Sequence, residues 1–226
     1  EIESFMRRKR SDAKPYAFLK ISDGCNHGCT FCSIPLMKGR HKSVPVEILL
    51  QEARSLTAGG VKELVLVAQD LAAYGRDGDE GYRLPRLLRE LCALEGDFRV
   101  RCMYCYPAGV TDELLDVLAG EPKMAPYLDV PLQHLDPEVL RRMNRPSKDV
   151  NTHKLVERLR ARVPGIALRT TMIVGFPGET RQAHLNMLQG VKELRFQWLG
   201  AFEYSKEEST PAGALEGQLS RATKER

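Results

Sequence analysis

The regular alternation of strand-like and helix-like segments is the feature that most constrains the fold of this chain. Six short apolar runs, each bounded by turn residues, are typical of buried strands. They span residues 16–21, 63–68, 98–104, 127–130, 167–174 and 198–204. Amphipathic stretches with helical periodicity lie between them. Strands that alternate with helices predict βαβ units with right-handed crossovers, and therefore a parallel sheet.

Six strands are too few to close an eight-stranded barrel. An α/β fold with a partial, TIM-like (β/α)6 barrel fits the pattern, and a doubly wound open sheet is the alternative topology. We expect the core to span residues 16–210, after a charged linker over 1–15. Residues 211–226 are expected to form a C-terminal tail or the start of a linker to a further domain. In both topologies, ligands bind at the carboxyl ends of the parallel strands.

The composition excludes several classes of protein. The 226 residues, 42% of them hydrophobic, are enough to bury a core. No apolar run approaches the roughly 20 residues of a membrane-spanning helix, and six cysteines in a chain of this length do not make a disulfide scaffold. The net charge of +4 is mild, and the basic residues 7–10 fit a solvated linker. We expect a cytoplasmic protein without membrane contact or direct nucleic-acid binding.

A short glycine-containing loop carries three cysteines in C-x3-C-x2-C spacing, namely Cys25, Cys29 and Cys32. Three thiolates at this density repel one another unless a cation lies between them, and a metal centre is the usual cause. Iron–sulfur clusters normally take four thiolates. A four-iron cluster held by three cysteines would therefore leave one iron open for another ligand.

A zinc site is the alternative interpretation of this loop, with His27 or His41 as the fourth ligand. Structural zinc sites generally combine two separated pairs of ligands. The loop instead supplies three cysteines close together, so its spacing suits zinc poorly.

Polar residues follow several of the predicted strands, at the edge of the sheet where the cysteine loop also begins. Gln69 and Asp70 follow the second strand, and Gln133 and His134 follow the fourth. These positions predict a binding site at the strand ends. The alternatives are that the first pair are turn residues and that His134 is a hydrogen-bonded histidine of the rim.

The fifth predicted strand carries Arg169 and ends in a glycine-rich turn. An arginine inside an apolar strand needs an acidic partner, which is either a ligand carboxylate or the carboxylate of a salt bridge. Gly175 and Gly178 match no phosphate-binding loop, because no G-x-x-x-x-G-K sequence is present. They allow a tight turn from strand to helix.

A second C-x2-C pair, formed by Cys102 and Cys105, is not expected to bind metal. If both lie on one strand, a separation of three residues places them on opposite faces. We therefore predict that these two thiols, like that of Cys92, are buried structural cysteines.

Five motifs in order resemble the methylthiotransferases of the radical S-adenosylmethionine (radical SAM) superfamily, over about residues 15–210. The motifs are G-C-N-H-G-C-T-F-C-S-I-P, A-Q-D-L-A-A-Y-G, D-V-P-L-Q-H, L-R-T-T-M-I-V-G-F-P-G-E-T and L-G-A-F-E-Y-S. A-Q-D and P-L-Q-H are similar to the branch that modifies an aspartate of a small-subunit ribosomal protein near the decoding centre. The branch that modifies a tRNA adenosine usually has Q-N and Q-S-G-S at these positions.

The resemblance implies a partial barrel and a reductive reaction. Cys25, Cys29 and Cys32 would hold a 4Fe-4S cluster whose open iron binds SAM. One electron from the cluster, which an electron donor would reduce, would cleave SAM to methionine and a 5′-deoxyadenosyl radical. This radical would abstract hydrogen from the β-carbon of the aspartate. No catalytic side chain beyond the cluster ligands is expected. The resemblance also implies six positions that bind the cofactor: Phe31, Gln69, Asp70, Gln133, Arg169 and Gly175.

The chain also departs from the family pattern. Val44 and Leu71 stand where arginine and threonine are usual. An N-terminal domain with a second 4Fe-4S cluster, expected to supply the sulfur, and a C-terminal TRAM domain are not among these residues. The chain is therefore interpreted as the central domain of a longer enzyme. The alternatives are a tRNA methylthiotransferase and a non-catalytic zinc-binding interaction domain.

Overall fold

A computed structural model describes residues 13–78, 83–145 and 151–225, so the basic run 7–10 and most of the predicted linker lie outside the described residues. The main sheet has six parallel strands, all of them close to the predicted ones. They are β1 (Tyr16–Lys20), β4 (Glu63–Val67), β5 (Arg99–Cys102), β6 (Met124–Asp129), β7 (Ala167–Val174) and β8 (Trp198–Glu203). A small antiparallel hairpin pairs β2 (Ser22–Asp23) with β3 (Lys42–Ser43).

The strand order decides between the two predicted topologies. It is β1-β4-β5-β6-β7-β8, so the strands follow the chain without reversal. A doubly wound sheet reverses its order at a switch point, whereas right-handed crossovers in one direction curl the sheet towards a barrel. Within the described residues, no pairing joins β8 to β1. The predicted partial (β/α)6 barrel is therefore confirmed.

Eight α-helices are described. They are α1 (Ile34–Lys38), α2 (Val46–Ala58), α3 (Leu84–Cys92), α4 (Asp112–Gly120), α5 (Pro137–Arg142), α6 (Thr152–Arg162), α7 (Arg181–Leu194) and α8 (Arg221–Lys224). Side-chain caps fix several of their starts: Thr111 accepts a hydrogen bond from the Leu114 amide, and Thr180 accepts one from the Ala183 amide. In the described part of the chain, no helix is long and apolar enough to span a bilayer.

The core lies between the convex face of the sheet and the helices. Alternate strand residues such as Leu64, Leu66 and Val100 are completely buried there, and α3 adds Leu87 and Leu88. Burying each such side chain stabilises the fold by about 1.5–3 kcal/mol. This packing fixes the pairing register of the strands, because a shift of one residue would turn the apolar side chains to the other face of the sheet.

The strand β5 ends two residues before the predicted end, because Tyr104 has a left-handed backbone with φ 59°. Cys105 therefore leaves the strand, and its thiol is buried in the same core cluster as that of Cys102. The condition that both lie on one strand is therefore not met, and the argument from opposite faces does not apply. The prediction that both are buried is confirmed, since neither is exposed, and burial raises the pKa of Cys102 to about 12.

The packed structure continues past residue 210, where the predicted core ends. A short 3-10 turn spans Pro211–Ala214, and Ala212 is completely buried. Its amide donates to the carbonyl of Thr30 in the cysteine loop at 2.8 Å. Gly178 likewise donates to the carbonyl of Gly217 at 2.9 Å. The segment predicted as a tail therefore begins with residues that pack on the cysteine loop.

Candidate functional site

The cysteine loop begins at the end of β2 and is closed by β3, above the carboxyl ends of the parallel strands. Gly24 has φ 72°, and a Cβ there would lie 2.2 Å from the carbonyl oxygen of Arg40, so the turn requires glycine. The amide of Cys25 donates to the carbonyl of Gly39 at 3.1 Å. These constraints place the three loop cysteines on one cavity of about 370 Å³, as the spacing predicted.

A segment distant in sequence holds the other side of the loop. The amide and hydroxyl of Thr30 donate to the carbonyls of Met143 and Arg142, at 3.1 and 2.8 Å. The side-chain amide of Asn144 donates to the carbonyl of Gly28 at 2.7 Å. The cysteine positions therefore depend on the end of α5 as well as on the hairpin.

Two of the loop thiols, those of Cys25 and Cys29, lie in an environment that favours their protonated form. Burial is the largest cause that raises the pKa of Cys25 and of Cys29, and the neighbouring cysteines raise both further. At Cys29 the positive charge of Arg145 opposes this rise. Thiolates are the ligands that metals take, so loading this site would release protons.

The donor set fits an iron–sulfur cluster better than a single zinc ion. Zinc–sulfur bonds of about 2.3 Å draw the ligands tightly together, but no three His, Cys, Asp or Glu side chains in the described ranges lie close enough to hold one ion. His27 lines the cavity but is bonded to Asp70 at 2.7 Å, and His41 does not line it. Three thiols around an open space suit a cluster with one iron free.

Two glutamines of this cavity carry buried acceptors. The Oε1 atoms of Gln69 and Gln133 are buried and have no hydrogen-bond partner among the described residues, and both side chains line the cavity. An unpaired buried acceptor costs about 1–3 kcal/mol, so a ligand that donates to these oxygens would recover that cost. Gln133 also has φ 74°, a strained conformation of the kind that clusters at functional sites.

Asp70 organises the site from below the cavity surface. Its carboxylate is 3% exposed and does not line the cavity. One oxygen accepts from the amides of Ala72 and Tyr106, and the other lies 2.7 Å from His27 Nε2. Asp70 therefore connects the end of β4 to the cysteine loop through hydrogen bonds.

Phe31 lines the cavity, as predicted for a residue next to the cofactor. Its ring packs edge-on against Phe176 at 6.4 Å between centroids, and Phe176 packs in the same manner on Tyr204 at 5.2 Å. Gly175 lies beside this cluster with φ 73°, and a Cβ there would lie 2.5 Å from a side-chain carbon of Lys224. Gly175 does not line the cavity.

Arg169 faces a different space. It points from β7 onto the concave side of the sheet, where its Nη1 donates to the buried carboxylate of Asp129 at 2.6 Å. The acidic partner that the sequence required is therefore a residue of the neighbouring strand. The structure does not place Arg169 on the cysteine cavity; it lines a second cavity of about 390 Å³.

His134 is completely buried and does not line the cysteine cavity. Its Nδ1 accepts from the amide of Asp136 at 2.9 Å, and its Nε2 lies 3.5 Å from Glu179. Glu179 in turn accepts from the amides of Gly175 and Phe176. Of the two interpretations, the hydrogen-bonded histidine of the rim is the one that the structure supports.

Several lining residues were not predicted. Besides His27, they are Ile34, Ala68, Tyr104, Tyr106, Pro131 and Arg145. Pro131 precedes Gln133 in a motif already identified, so its position was within reach of the sequence. The position of Arg145 was not, because it approaches Cys29 across 116 residues of chain.

Comparison with known families agrees with this geometry. Residues 19–189 match the family model described as the radical SAM superfamily. The chain is 50% identical over 224 residues to the ribosomal protein uS12 methylthiotransferase RimO of Moorella thermoacetica, covering 99% of this chain and 52% of the relative. It is 47% identical to the RimO of Lachnoclostridium phytofermentans, covering 92% of this chain and 48% of the relative. The chain thus spans about half the length of the curated relatives it matches.

Solved structures share the fold of this chain. A radical S-adenosylmethionine methyltransferase, TsrM from Kitasatospora setae with cobalamin and a [4Fe-4S] cluster bound, superposes with a TM-score of 0.72 at 21% identity, over 88% of this chain and 38% of that one. The radical SAM coproporphyrinogen III oxidase HemN of Escherichia coli gives 0.65 at 19% identity, over 98% and 52%. At these identities the likeness concerns the fold.

Proposed function

Because this chain belongs to the radical SAM superfamily, we propose that it is the catalytic core of an enzyme that cleaves SAM reductively and methylthiolates an aspartate of the ribosomal protein uS12. The observation that carries the proposal is the shared cavity of Cys25, Cys29 and Cys32 with the unpaired acceptors of Gln69 and Gln133. The similarity to enzymes named as uS12 methylthiotransferases supports the choice of reaction.

The three loop cysteines would hold the cluster, and because they are three, one iron would be left for SAM. When bound, such a cluster supplies the electron that breaks a carbon–sulfur bond of SAM, which no side chain in the cavity can do. The oxygens of Gln69 and Gln133 would accept hydrogen bonds from amino or hydroxyl groups of SAM. They would orient it without adding charge.

Apolar side chains would shield the reacting groups. Phe31, Ile34 and Pro131 line the cavity beside the thiols. Excluding water there prevents side reactions of a reactive intermediate. The edge-on packing of Phe31 on Phe176 fixes one of these walls.

The choice of uS12 over a tRNA rests on the relatives more than on single residues. His134, one of the positions that resembles the ribosomal-protein branch, is buried and bonded within the protein, and Asp70 is similarly enclosed. These residues shape the site from behind and are not placed to select a substrate by contact. A tRNA adenosine is the second substrate to test.

The proposal includes partners and a second cofactor. A donor protein must provide the electron, and the sulfur would come from a second cluster in the half of the relatives' length that this chain does not span. We place the reaction in the cytoplasm, where ribosomal proteins act, and we assign no direct nucleic-acid contact to this domain.

The first experiment uses this chain alone. We expect the anaerobically reconstituted chain to form 5′-deoxyadenosine from SAM in the presence of a reductant, without methylthiolating a uS12 peptide. A colourless preparation that contains zinc in place of iron would instead support the zinc-binding interaction domain. The brown colour and iron content of the sample separate the two at once.

The second experiment uses the longer natural protein that contains this chain. Incubated separately with uS12 and with tRNA, it should add a methylthio group to uS12 only, as detected by mass spectrometry of both. Modification of the tRNA would instead assign the enzyme to the tRNA methylthiotransferases, and the proposed reductive cleavage of SAM would still stand.

A further inference from the structure

Arg145 contacts one of the three loop cysteines. Its Nη1 lies 3.7 Å from the Sγ of Cys29, within hydrogen-bond range for sulfur, and its Nη2 donates to the carbonyl of Pro131. Arg145 is only 9% exposed and lines the cysteine cavity. No carboxylate in the described residues forms a salt bridge with this guanidinium, so its full positive charge is available to the thiolate.

Two stacked rings fix the position of this guanidinium. The Arg145 Cζ lies 4.4 Å from the ring centroid of Tyr106, a cation–π contact. The other face of Tyr106 is stacked on His27, with centroids 3.7 Å apart and planes inclined by 11°. Asp70 holds both rings of this stack, because its carboxylate is hydrogen-bonded to His27 and accepts a hydrogen bond from the Tyr106 amide.

The arrangement suits a role towards the sulfur of Cys29 better than a role in binding SAM. Both terminal nitrogens of Arg145 already have partners, at Cys29 and at Pro131. These two bonds hold the guanidinium beside the sulfur, where its charge acts on Cys29 whatever its remaining N–H groups contact. By contrast, the buried Oε1 atoms of Gln69 and Gln133 have no hydrogen-bond partner in the part of the chain that the structure describes.

We infer that Arg145 is a positioning residue that raises the reduction potential of the cluster held by Cys29. Reduction adds a negative charge to the cluster and its thiolates. A fixed positive charge that hydrogen-bonds a ligand sulfur stabilises that state, and hydrogen bonds to the sulfurs are among the factors that set cluster potentials. The inference rests on the cluster binding of the proposed function.

The test is a redox titration of the anaerobically reconstituted chain, with the reduced cluster quantified by electron paramagnetic resonance in the absence of SAM. Arg145→Gln should lower the equilibrium constant for reduction about tenfold, which is about 59 mV for one electron. Arg145→Lys keeps the charge but not the planar fork, and should give a smaller decrease. Tyr106→Leu should also lower the potential, since the guanidinium loses its stacking partner.

Arg160→Gln is the matched control. It removes the same charge from a guanidinium that donates to the carbonyls of Leu194 and Arg195, away from the cavity. Its potential should equal that of the unaltered chain. If Arg145→Gln does not retain its cluster, the reduction potential of Arg145→Lys is compared with that of the unaltered chain instead.

Equal potentials in the Arg145 variants, the control and the unaltered chain would overturn the inference. So would weaker SAM binding by Arg145→Gln with an unchanged potential, because Arg145 would then act on SAM. If the unaltered chain binds no iron, the proposed function itself fails, and iron content distinguishes that failure from the others.

Discussion

Two cavities of similar size lie along the sheet, and they differ in how their polar groups are satisfied. The upper cavity, which is the cysteine cavity of about 370 Å³, is lined by three cysteines and by two glutamines whose buried Oε1 atoms have no partner among the described residues. The lower cavity, of about 390 Å³, lies on the concave face and is lined by Glu63, Arg101 and Arg169 among others. There the charged groups form salt bridges. The Nε and Nη2 atoms of Arg101 donate to the Glu63 carboxylate at 2.6 and 3.0 Å, and Arg169 donates to the Asp129 carboxylate.

This difference shows that charged residues alone do not indicate a binding site in this fold. The lower cavity has more charged groups, yet each has an internal partner, so its polar contacts stabilise the sheet. The upper cavity has fewer charges and more unsatisfied atoms, and unsatisfied buried atoms are costly unless a ligand pairs with them. Four predictions test this contrast, from the largest expected effect to the smallest.

The largest effect should follow from removing one thiol of the upper cavity. Cys29→Ala leaves two ligands, so iron content and 5′-deoxyadenosine formation should fall to background in the reconstituted chain. Cys102→Ala is the control, because this thiol is fully buried in the core. It should keep its iron and lose about 1 kcal/mol of stability. A Cys29→Ala protein with normal iron content would contradict the assignment of the upper cavity.

The next effect concerns stability and the lower cavity. Asp129→Ala should lower the free energy of unfolding by about 2 kcal/mol, measured by urea denaturation of the apoprotein. The reason is that Arg169 loses its partner, although it is 28% exposed and water can reach it, so the loss is below that of a fully buried pair. SAM binding by the reconstituted protein should be unchanged. Weaker SAM binding would show that the two cavities are coupled.

A smaller effect should come from the unpaired acceptors of the upper cavity. Gln133→Ala removes one oxygen proposed to bind SAM, so the dissociation constant should rise about tenfold, or about 1.4 kcal/mol. Gln182→Ala, at an exposed position of α7, is the control and should not change it. Equal affinities for both variants would remove Gln133 from the binding site.

Local pattern was enough to predict much of the fold and the grouping of the three loop cysteines on one cavity. The six strands and the cysteine spacing are properties of short segments, and the structure keeps them. What the sequence could not show depends on chain segments that meet only in the folded protein. Arg145 reaches Cys29 through tertiary packing, and Asp70 turns away from the cavity because the Tyr106 amide comes within 3.1 Å of it.

The same limit explains the assignment of Arg169. The need for an acidic partner was predictable from an arginine within an apolar strand, but the partner, Asp129, lies 40 residues earlier. The register of β6 against β7 places Asp129 opposite Arg169. That register is set by the packing of the whole sheet, so a ligand carboxylate and a strand carboxylate could not be distinguished beforehand.

The smallest effect concerns Glu179, which holds the turn after β7 behind the upper cavity. Its carboxylate accepts from the amides of Gly175 and Phe176. Burial raises the pKa of this carboxyl, but the contacts with His134, the Gly175 amide and His184 outweigh burial and lower the pKa below the usual value. A lowered pKa means that the charged form stabilises the fold above the pKa of the unfolded chain, about 4.5, and that this stability is lost as the pH falls through the lower folded-state value. Glu179→Gln should therefore cost about 1 kcal/mol at pH 7.

The difference between Glu179→Gln and the unaltered protein should shrink as the pH falls below the usual range of a glutamate. Urea denaturation at pH 7 and at a pH below 4 measures it. Glu193→Gln, at an exposed position of α7, is the control and should match the unaltered chain at both pH values. If the cost of Glu179→Gln stayed constant with pH, the turn would be held by the shape of the side chain. In that case its charge would add nothing, and the wall behind the upper cavity would depend on packing alone.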